Sequence, residues 1–214
     1  MRLRLEGEIS DVILFLEHHP VLTIGASGGK ENIIASRDAL AFQGVTIVHT
    51  DRGGNITYHG PGQLVGYLIF DLKTRGSDLH QYMRNLEEVI IRTLSDFNIA
   101  GNRDPRYPGV WVGQEKICAV GVRVRRWVTK HGFALNINNG LEAFSYINPC
   151  GITNRGVTSM SRLLGYKLKI EDVISSMSRH LLQIFDIHIE WRALECMDGY
   201  NFGWTTAMAK AKSS

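Results

Sequence analysis

The feature that most constrains the fold is a stretch over residues 64–72 that is apolar almost throughout. A strand with one face in water alternates apolar and polar residues, whereas a strand covered on both faces does not. This stretch therefore predicts a strand at the centre of a sheet. A sheet with such a strand needs further layers to cover both of its faces.

Helical and strand-like patterns both flank this central strand. Apolar residues recur at steps of three and four over 78–97 and 171–185, which predicts two amphipathic helices, the first capped by Ser77 or Asp78. Short apolar runs predict strands at 12–16, 21–24, 45–48, 110–112, 117–124 and 133–137, and a short helix at 36–42. We expect the first two strands to be paired or neighbouring, the last three to form antiparallel hairpins, and the tail from Arg192 to fray.

The length and composition favour one folded α/β domain. The chain has 214 residues, 44% hydrophobic and 21% charged, which is close to the average for globular proteins and unlike disordered or coiled-coil chains. A chain of this length suits a single core, so we expect one domain over residues 1–214.

The net charge and the lengths of the apolar segments indicate which partners and which cellular compartment to expect. A formal charge of +3 is too small to indicate nucleic-acid binding, although an acidic protein partner stays open. The N-terminus lacks the apolar core of a secretory signal, and no apolar stretch reaches the roughly 18 residues of a membrane helix. We therefore expect a cytoplasmic protein without a membrane segment. Three cysteines without C-x-x-C spacing argue against a disulfide framework or a zinc site.

The densest unusual segment runs from residue 52 to residue 63 and reads RGGNITYHGPGQ. Its glycines free the backbone to face a ligand with N–H groups, and Arg52 and His59 add possible donors. The spacing fits neither a phosphate loop nor a dinucleotide-binding fingerprint. The alternative is an ordinary glycine-rich connection between strands.

Two further segments contain residues that suit nucleophilic chemistry. In Pro149-Cys150-Gly151 a turn presents a cysteine, whereas a buried structural cysteine is the alternative. In the predicted strand at 117–124, alternation places Cys118 on the same face as Lys116 just before it, so Cys118 is also a candidate partner of that lysine. A solvated lysine is the alternative reading of Lys116. A cysteine with a neighbouring lysine makes a nucleophile–base dyad.

Four blocks of the sequence together resemble the lipoyl(octanoyl) transferases. They are RGGNITYHGPGQ at 52–63, KICAVGVR at 116–123, HGFALN at 131–136 and INPCGI at 147–152, and they occur in the family's order. The resemblance implies an α+β fold like that of the biotin/lipoate protein ligases, with a mixed, largely antiparallel sheet and packed helices.

The resemblance also implies a reaction and its partners. An octanoyl group would pass from acyl carrier protein to a lysine of lipoyl domains, those of 2-oxoacid dehydrogenase E2 subunits and of the glycine cleavage H protein, without a cofactor or a metal. Cys150 matches the cysteine that becomes the acyl-thioester, and Lys116 matches the lysine that lowers the pKa of that thiol. The implied substrate-binding residues are Arg52, Gly53, Gly54, Asn55, Ile56, Thr57, Tyr58, His59, Ala119, Val120, Gly121, Gly132, Phe133 and Ala134.

Some assignments stay open at this point. A lipoate or biotin ligase has a similar fold but must also bind ATP, and a catalytically silent binding module is a third reading. His59 and His131 are expected to have structural or substrate-lining roles, because Lys116 already supplies a base. We expect Gly54, Gly121 and Gly132 to leave space for an eight-carbon chain. Asp71 and Asn136 are assigned to capping, and Cys196 to packing or surface.

Overall fold

The computed structural model describes residues 1–152, 154–193 and 207–212, and the side chains of Cys150 and of residues 189–212 lie outside that description. The helices are α1 (Arg2–Leu5), α2 (Arg37–Phe42), α3 (Leu79–Asp96), α4 (Met160–Leu164) and α5 (Ile170–Phe185). Short 3-10 turns lie at Lys30–Asn32, Leu72–Arg75, Glu142–Tyr146 and Pro149–Gly151.

The described strands form two sheets of unequal size. They are β1 (Asp11–Leu16), β2 (Val21–Ile24), β3 (Thr46–His49), β4 (Ile56–His59), β5 (Gln63–Ile69), β6 (Asn102–Arg103), β7 (Val110–Val112), β8 (Glu115–Arg125), β9 (Val128–Asn136), β10 (Gly156–Val157), β11 (His188–Ala193) and β12 (Ala207–Lys212). The large sheet has the order β11-β12-β1-β5-β9-β8-β7-β6, and β10 adds to β8 in parallel. The small sheet has the order β3-β2-β4.

The central position predicted for residues 64–72 is confirmed, although the strand ends at Ile69. Strand β5 lies between β1 and β9 and pairs antiparallel with both. Its side chains are buried on both faces, with Leu64 and Leu68 on one and Val65 on the other. The large sheet is therefore covered on both sides at its centre.

The long helices cover one face of the large sheet. Helix α3 begins at its N-cap Asp78, whose side chain accepts from the N–H of Gln81, and packs against α5. Both predicted helices and the hairpin β8–β9 are confirmed. The core between helices and sheet includes Leu86, Ile90, Leu94, Val173, Met177, Leu181, Cys118 and Leu135.

A second apolar core lies under the small sheet. It joins Leu22, Ile24, Leu40, Val45, Ile56, Tyr58, Phe144 and Ile147. The predicted short helix at 36–42 is α2, and its N-cap Ser36 accepts from the N–H of Ala39 at 3.2 Å. This core holds the segment before Cys150 against β4.

Two expectations about the fold are wrong. Strands β1 and β2 do not pair, because the turn through His18, His19 and Pro20 carries the chain from the large sheet to the small one. Residues 207–212 do not fray but form β12, which pairs with β1 on one side and β11 on the other. Cys196 lies outside the described residues. No helix in the described part of the chain is long and apolar enough to cross a membrane.

The core beneath the sheet predicts a strong contrast between two apolar truncations. Leu86 is 0% exposed in the α3 core, whereas Phe42 is 88% exposed at the end of α2. We expect Leu86→Ala to lower the free energy of unfolding by about 2–5 kcal/mol, because it leaves a cavity. Phe42→Ala is expected to change it by less than about 0.5 kcal/mol. Urea denaturation of both variants measures the difference, and equal effects would contradict this core.

Candidate active site

A bulge in β8 determines which way Lys116 points. Val110 of β7 pairs with Cys118, but the next residue, Trp111, pairs with Lys116, so Ile117 is an extra residue in β8. Directly paired residues share a face of a sheet, and neighbours along β7 alternate. Lys116 and Trp111 therefore lie on the face opposite to Val110 and Cys118.

The expectation that Lys116 and Cys118 share a face is thus wrong. Cys118 is 0% exposed in the core beneath the helices, and burial raises the pKa of its thiol far above the usual range. A thiol that stays protonated is a poor nucleophile. Cys118 is a packing residue, and it does not compete with Cys150 for the role of nucleophile.

Lys116 lies in an aromatic and cationic cluster on the opposite face. Its Nζ donates to Pro108 O at 3.1 Å and lies 4.8 Å from the centroid of the Trp111 ring. The guanidinium of Arg155 lies 4.9 Å from the centroid of the same ring and pairs with Asp104 at 2.7 Å. The sequence analysis missed Arg155, which fixes the segment between the Cys150 turn and β10 next to Lys116.

The backbone brings the Cys150 turn into the same region. Cys150 lies in the 3-10 turn Pro149–Gly151, which contacts β4 and the turn Lys30–Asn32. The N–H of Asn148 donates to Asn32 O at 2.8 Å. Seven residues after Cys150, Val157 of β10 pairs directly with Lys116. The side chain of Cys150 is outside the described structure, so the placement rests on its backbone.

A buried amide network connects these elements. Asn136 Nδ2 donates to Thr158 O at 2.9 Å, and Asn136 Oδ1 accepts from Gln63 Nε2 at 2.9 Å and from Asn139 Nδ2 at 3.1 Å. The N–H of Thr158 in turn donates to Lys116 O at 3.0 Å. Asn136 therefore has a larger role than capping: it ties the central strands to the segment beside Lys116. Asp71 does cap, by accepting from the N–H of Lys73 at 3.0 Å.

Arg52 holds its own loop together. Its Nε donates to Thr23 Oγ1 at 3.1 Å, one terminal nitrogen donates to Gly53 O at 3.1 Å, and the other donates to Thr23 O at 2.6 Å and Asn55 O at 2.7 Å. All three guanidinium nitrogens thus bond to the protein. Arg52 therefore fixes the shape of its loop, and its contact with a substrate stays a prediction.

The glycines of the site admit protein backbone instead of a ligand. The N–H of Gly53 donates to Val122 O at 3.0 Å, and a Cβ on Gly121 would lie 2.8 Å from Gly53 O. A Cβ on Gly132 would lie 2.2 Å from Gly66 O of β5. Gly54 adopts φ +88°, a conformation that favours glycine. At Gly121 and Gly132, protein backbone therefore occupies the space expected for an acyl chain, whereas a Cβ on Gly54 would meet only the Arg52 side chain, at 3.5 Å.

Small residues do line the face of the large sheet that carries Lys116. Ala119 of β8 pairs with Ala134 of β9, and both lie opposite the helix-facing row that contains Cys118 and Leu135. Val120 and Phe133, by contrast, point into the helix-facing core. Among the predicted substrate-binding residues at 119–121 and 132–134, the side chains of Ala119 and Ala134 therefore lie on the same face of the sheet as Lys116.

The side chains of strand β4 also alternate between a core face and an opposite face. Ile56 and Tyr58 belong to the core of the small sheet, where the Tyr58 ring packs edge-on against Phe144 with centroids 5.6 Å apart. Thr57 and His59 lie on the other face, where His59 meets Gln63 of β5. Asn55 Oδ1 accepts from Asn32 Nδ2 at 3.0 Å and joins the loop to the turn below Cys150.

Both histidines considered as bases are engaged in the protein. Burial lowers the pKa of His59 to about 3, and its Nδ1 lies 2.7 Å from Gln63 Oε1. Because that oxygen can only accept, Nδ1 carries the proton and donates to Gln63, which leaves Nε2 as an acceptor. His131 Nε2 lies 2.9 Å from Asp51 Oδ1, and burial lowers the pKa of its ring.

A row of polar aromatic groups that the sequence analysis missed connects these histidines. The His18 ring lies 5.5 Å from the His59 ring, and His18 Nε2 lies 2.7 Å from the Tyr67 hydroxyl. Tyr67 packs edge-on against His131, with centroids 5.8 Å apart. Motif spacing gave no signal for His18 or Tyr67, because they are 49 residues apart in the chain.

The amide network predicts a large effect of a single truncation. Asn136→Ala leaves buried polar groups of Gln63, Asn139 and Thr158 without a hydrogen-bond partner. Each such group costs about 1–3 kcal/mol. We expect the free energy of unfolding to fall by at least about 2 kcal/mol and the enzyme to lose activity even where it stays folded. Asn102→Ala is the matched control, because that amide is exposed and makes one 3.4 Å bond. Urea denaturation measures both, and equal stabilities would exclude the network as a constraint.

Comparisons with known proteins agree with this architecture. A chain 48% identical over 186 residues, covering 86% of this chain and 79% of its own length, is the octanoyltransferase of Caldicellulosiruptor saccharolyticus. Another octanoyltransferase, of Desulforamulus reducens, is 43% identical over 189 residues and covers 88% of this chain and 83% of its own.

Solved structures show the same fold at low sequence identity. A bipartite lipoate protein ligase from Thermoplasma acidophilum superposes with a TM-score of 0.69 at 16% identity, over 88% of this chain and 75% of that one. A lipoate-protein ligase A bound with ATP gives 0.67 at 16% identity, over 82% and 73%. The expected biotin/lipoate ligase-like α+β fold is confirmed. The family model of the lipoyl protein ligase A/B catalytic domain matches residues 1–182, and the chain belongs to that family.

Proposed function

We propose that this protein transfers an octanoyl group from acyl carrier protein to a lysine of lipoyl domains through a thioester on Cys150. The observation that carries the proposal is the direct pairing of Val157, which follows the Cys150 turn, with Lys116. Family membership and the octanoyltransferases among the relatives support the same reaction. The acceptors would be the E2 subunits of 2-oxoacid dehydrogenases and the glycine cleavage H protein.

In the first step the Cys150 thiolate attacks the carbonyl carbon of the donor thioester. The new C–S bond forms as the bond to the carrier's pantetheine sulfur breaks, and Lys116 gives that sulfur its proton. One thioester replaces another, so little free energy changes and no ATP is needed. The nearby ammonium of Lys116 would favour the thiolate and the oxyanion of the intermediate.

In the second step the acceptor lysine, as a free amine, attacks the Cys150 thioester. An amide C–N bond forms, the Cys150 sulfur leaves as thiolate, and the proton lost by the amine passes to Lys116. The enzyme is thereby returned to its starting state. The N–H of Gly151 donates to Asn148 O at 2.9 Å, so the proposal does not assign the oxyanion to that group.

The face that carries Lys116 suits an unbranched acyl chain. Ala119 and Ala134 form a strip without bulky side chains between Lys116 and the loop at 52–54. Burial of each methylene would contribute about 0.8 kcal/mol. In this proposal Thr57 and His59 on β4 would border the strip from the small sheet, and the remaining residues of the loop at 52–56 would hold its shape.

The thioester predicts a covalent adduct that depends on one cysteine. When the enzyme is incubated with octanoyl carrier protein and no acceptor, we expect its intact mass to rise by one octanoyl group. Cys150→Ala should abolish the adduct, and Cys118→Ala should retain it because Cys118 is buried beneath the helices. An adduct in Cys150→Ala, or formation only with ATP and free octanoate, would overturn the proposal and favour a ligase.

The role of Lys116 predicts a change in the pH dependence of thiol alkylation. We expect Lys116→Ala to shift the rate profile of Cys150 toward that of an ordinary thiol, near pH ~8.5. Lys116→Arg should keep the profile but slow turnover, because arginine retains the charge and does not shuttle protons. Lys169→Ala is the control and should match the wild type. Identical profiles for all variants would remove Lys116 from the mechanism.

A further inference from the structure

The hairpin that joins β8 to β9 carries an exposed basic cluster outside the site. We call it the basic tip and define it as Arg123, Arg125, Arg126, Trp127 and Lys130. Its three arginines are exposed, and Trp127 is 40% exposed. The whole chain has a formal charge of only +3, so this tip concentrates positive charge on one element.

The positive charge of the tip is only partly balanced. Asp51 pairs with Arg123 at 3.3 Å and with Lys130 at 2.7 Å. Hydrogen bonds from Lys130 and from His131 lower the pKa of Asp51 to about 2. Among the residues that the structure describes, no carboxylate oxygen lies within 4.0 Å of the guanidinium of Arg125 or Arg126. The end of the hairpin therefore presents two arginines to a partner of opposite charge.

The turn at the tip is occupied by residues that do not suit its backbone. Arg125 pairs with Val128, so Arg126 and Trp127 form a two-residue turn, with φ +48° and +68°. Such turns favour Asn-Gly, because a side chain in the left-handed region costs roughly 1–2 kcal/mol. The chain thus holds an arginine and a tryptophan at an exposed tip where stability alone would favour other residues.

The tip is continuous with the candidate active site but distant from its lysine. Arg123 lies seven residues beyond Lys116 along β8, which at ~3.3 Å per residue is about 23 Å. A lysine side chain of a docked acceptor is much too short to cross that distance. A phosphopantetheine arm is longer than a lysine side chain and holds the thioester away from the carrier, which suits a donor that contacts the protein at a distance from Lys116.

We propose that the basic tip is the docking surface for the acidic face of the acyl carrier protein that donates the octanoyl group. This assignment rests on the proposed function. The cations attract the acidic carrier, Trp127 adds apolar contact area, and the strip along Ala119 receives the acyl chain. Attraction between exposed charges accelerates encounter and weakens with salt.

A second basic surface provides a matched control. It lies between α4 and α5, where Lys167 and Lys169 are exposed, as Arg125 and Arg126 are. A double charge reversal at each surface changes the net charge equally, so only the location differs.

The test compares a carrier-bound donor with a small one. We expect Arg125→Glu/Arg126→Glu to raise the KM for octanoyl carrier protein by about tenfold or more and to reduce its salt dependence. Transfer from octanoyl-pantetheine should not change, and Lys167→Glu/Lys169→Glu should behave like the wild type with both donors. A normal carrier KM in the tip variant, or an equal loss with octanoyl-pantetheine, overturns the docking surface. A wild-type enzyme that uses neither donor contradicts the proposed function instead.

A second variant separates docking from folding. Arg126→Asn/Trp127→Gly supplies residues that suit the turn, so we expect equal or higher stability in urea together with a raised KM for the carrier. If Arg126 and Trp127 were needed only for structure, this variant would instead lose stability in urea and keep its KM for the carrier. Unchanged carrier kinetics in this variant would also overturn the proposal.

Discussion

The buried amide of Asn136 is the constraint on which the site depends. It joins Gln63 of β5, Asn139 and the carbonyl of Thr158, and through the Thr158 N–H it reaches the backbone of Lys116. Each of these groups is buried, so an unmade bond would not be replaced by water. The network therefore fixes the separation between the central strands and the segment that returns from Cys150. The backbone of Lys116 and the segment that returns from Cys150 are thus held together by directional bonds.

The bulge at Ile117 explains both a success and a failure of reasoning from sequence. The alternation of β8 correctly indicates a strand that forms a hairpin, and the apolar run of β5 correctly indicates a central place in the sheet. Alternation also places Lys116 with Cys118, and one extra residue reverses that relation. No residue in the sequence marks the bulge, because Ile117 is an ordinary strand former. The resemblance to a known family pointed to Cys150, which strand geometry alone did not.

The loop at 52–54, with Arg52 and its two glycines, also shows where reasoning from sequence alone stops. The sequence reveals that the segment is unusual, but it does not say whether the freed space holds a ligand or the protein. In the structure Arg52 bonds to Thr23 and Asn55, and the Gly53 backbone lies on β8 where Gly121 has no side chain. Arg155 was missed because its partners, Asp104 and Trp111, are more than forty residues away in the chain. Long-range packing of this kind has no local signature.

We propose two electrostatic tasks for strand β8, and the strand separates them by distance. In the proposed reaction Lys116, near the start of the strand, acts on one sulfur, which requires a short separation and little water. Arg125 ends the strand and Arg126 follows it, about 30 Å from Lys116 at ~3.3 Å per residue, which is several times the screening length of about 8 Å at physiological salt. Charges at the tip therefore have little influence on ionisation near Lys116, although they attract a partner to the same strand. Since one task depends on contact and the other on long-range attraction, changes at either end of β8 can alter one without the other.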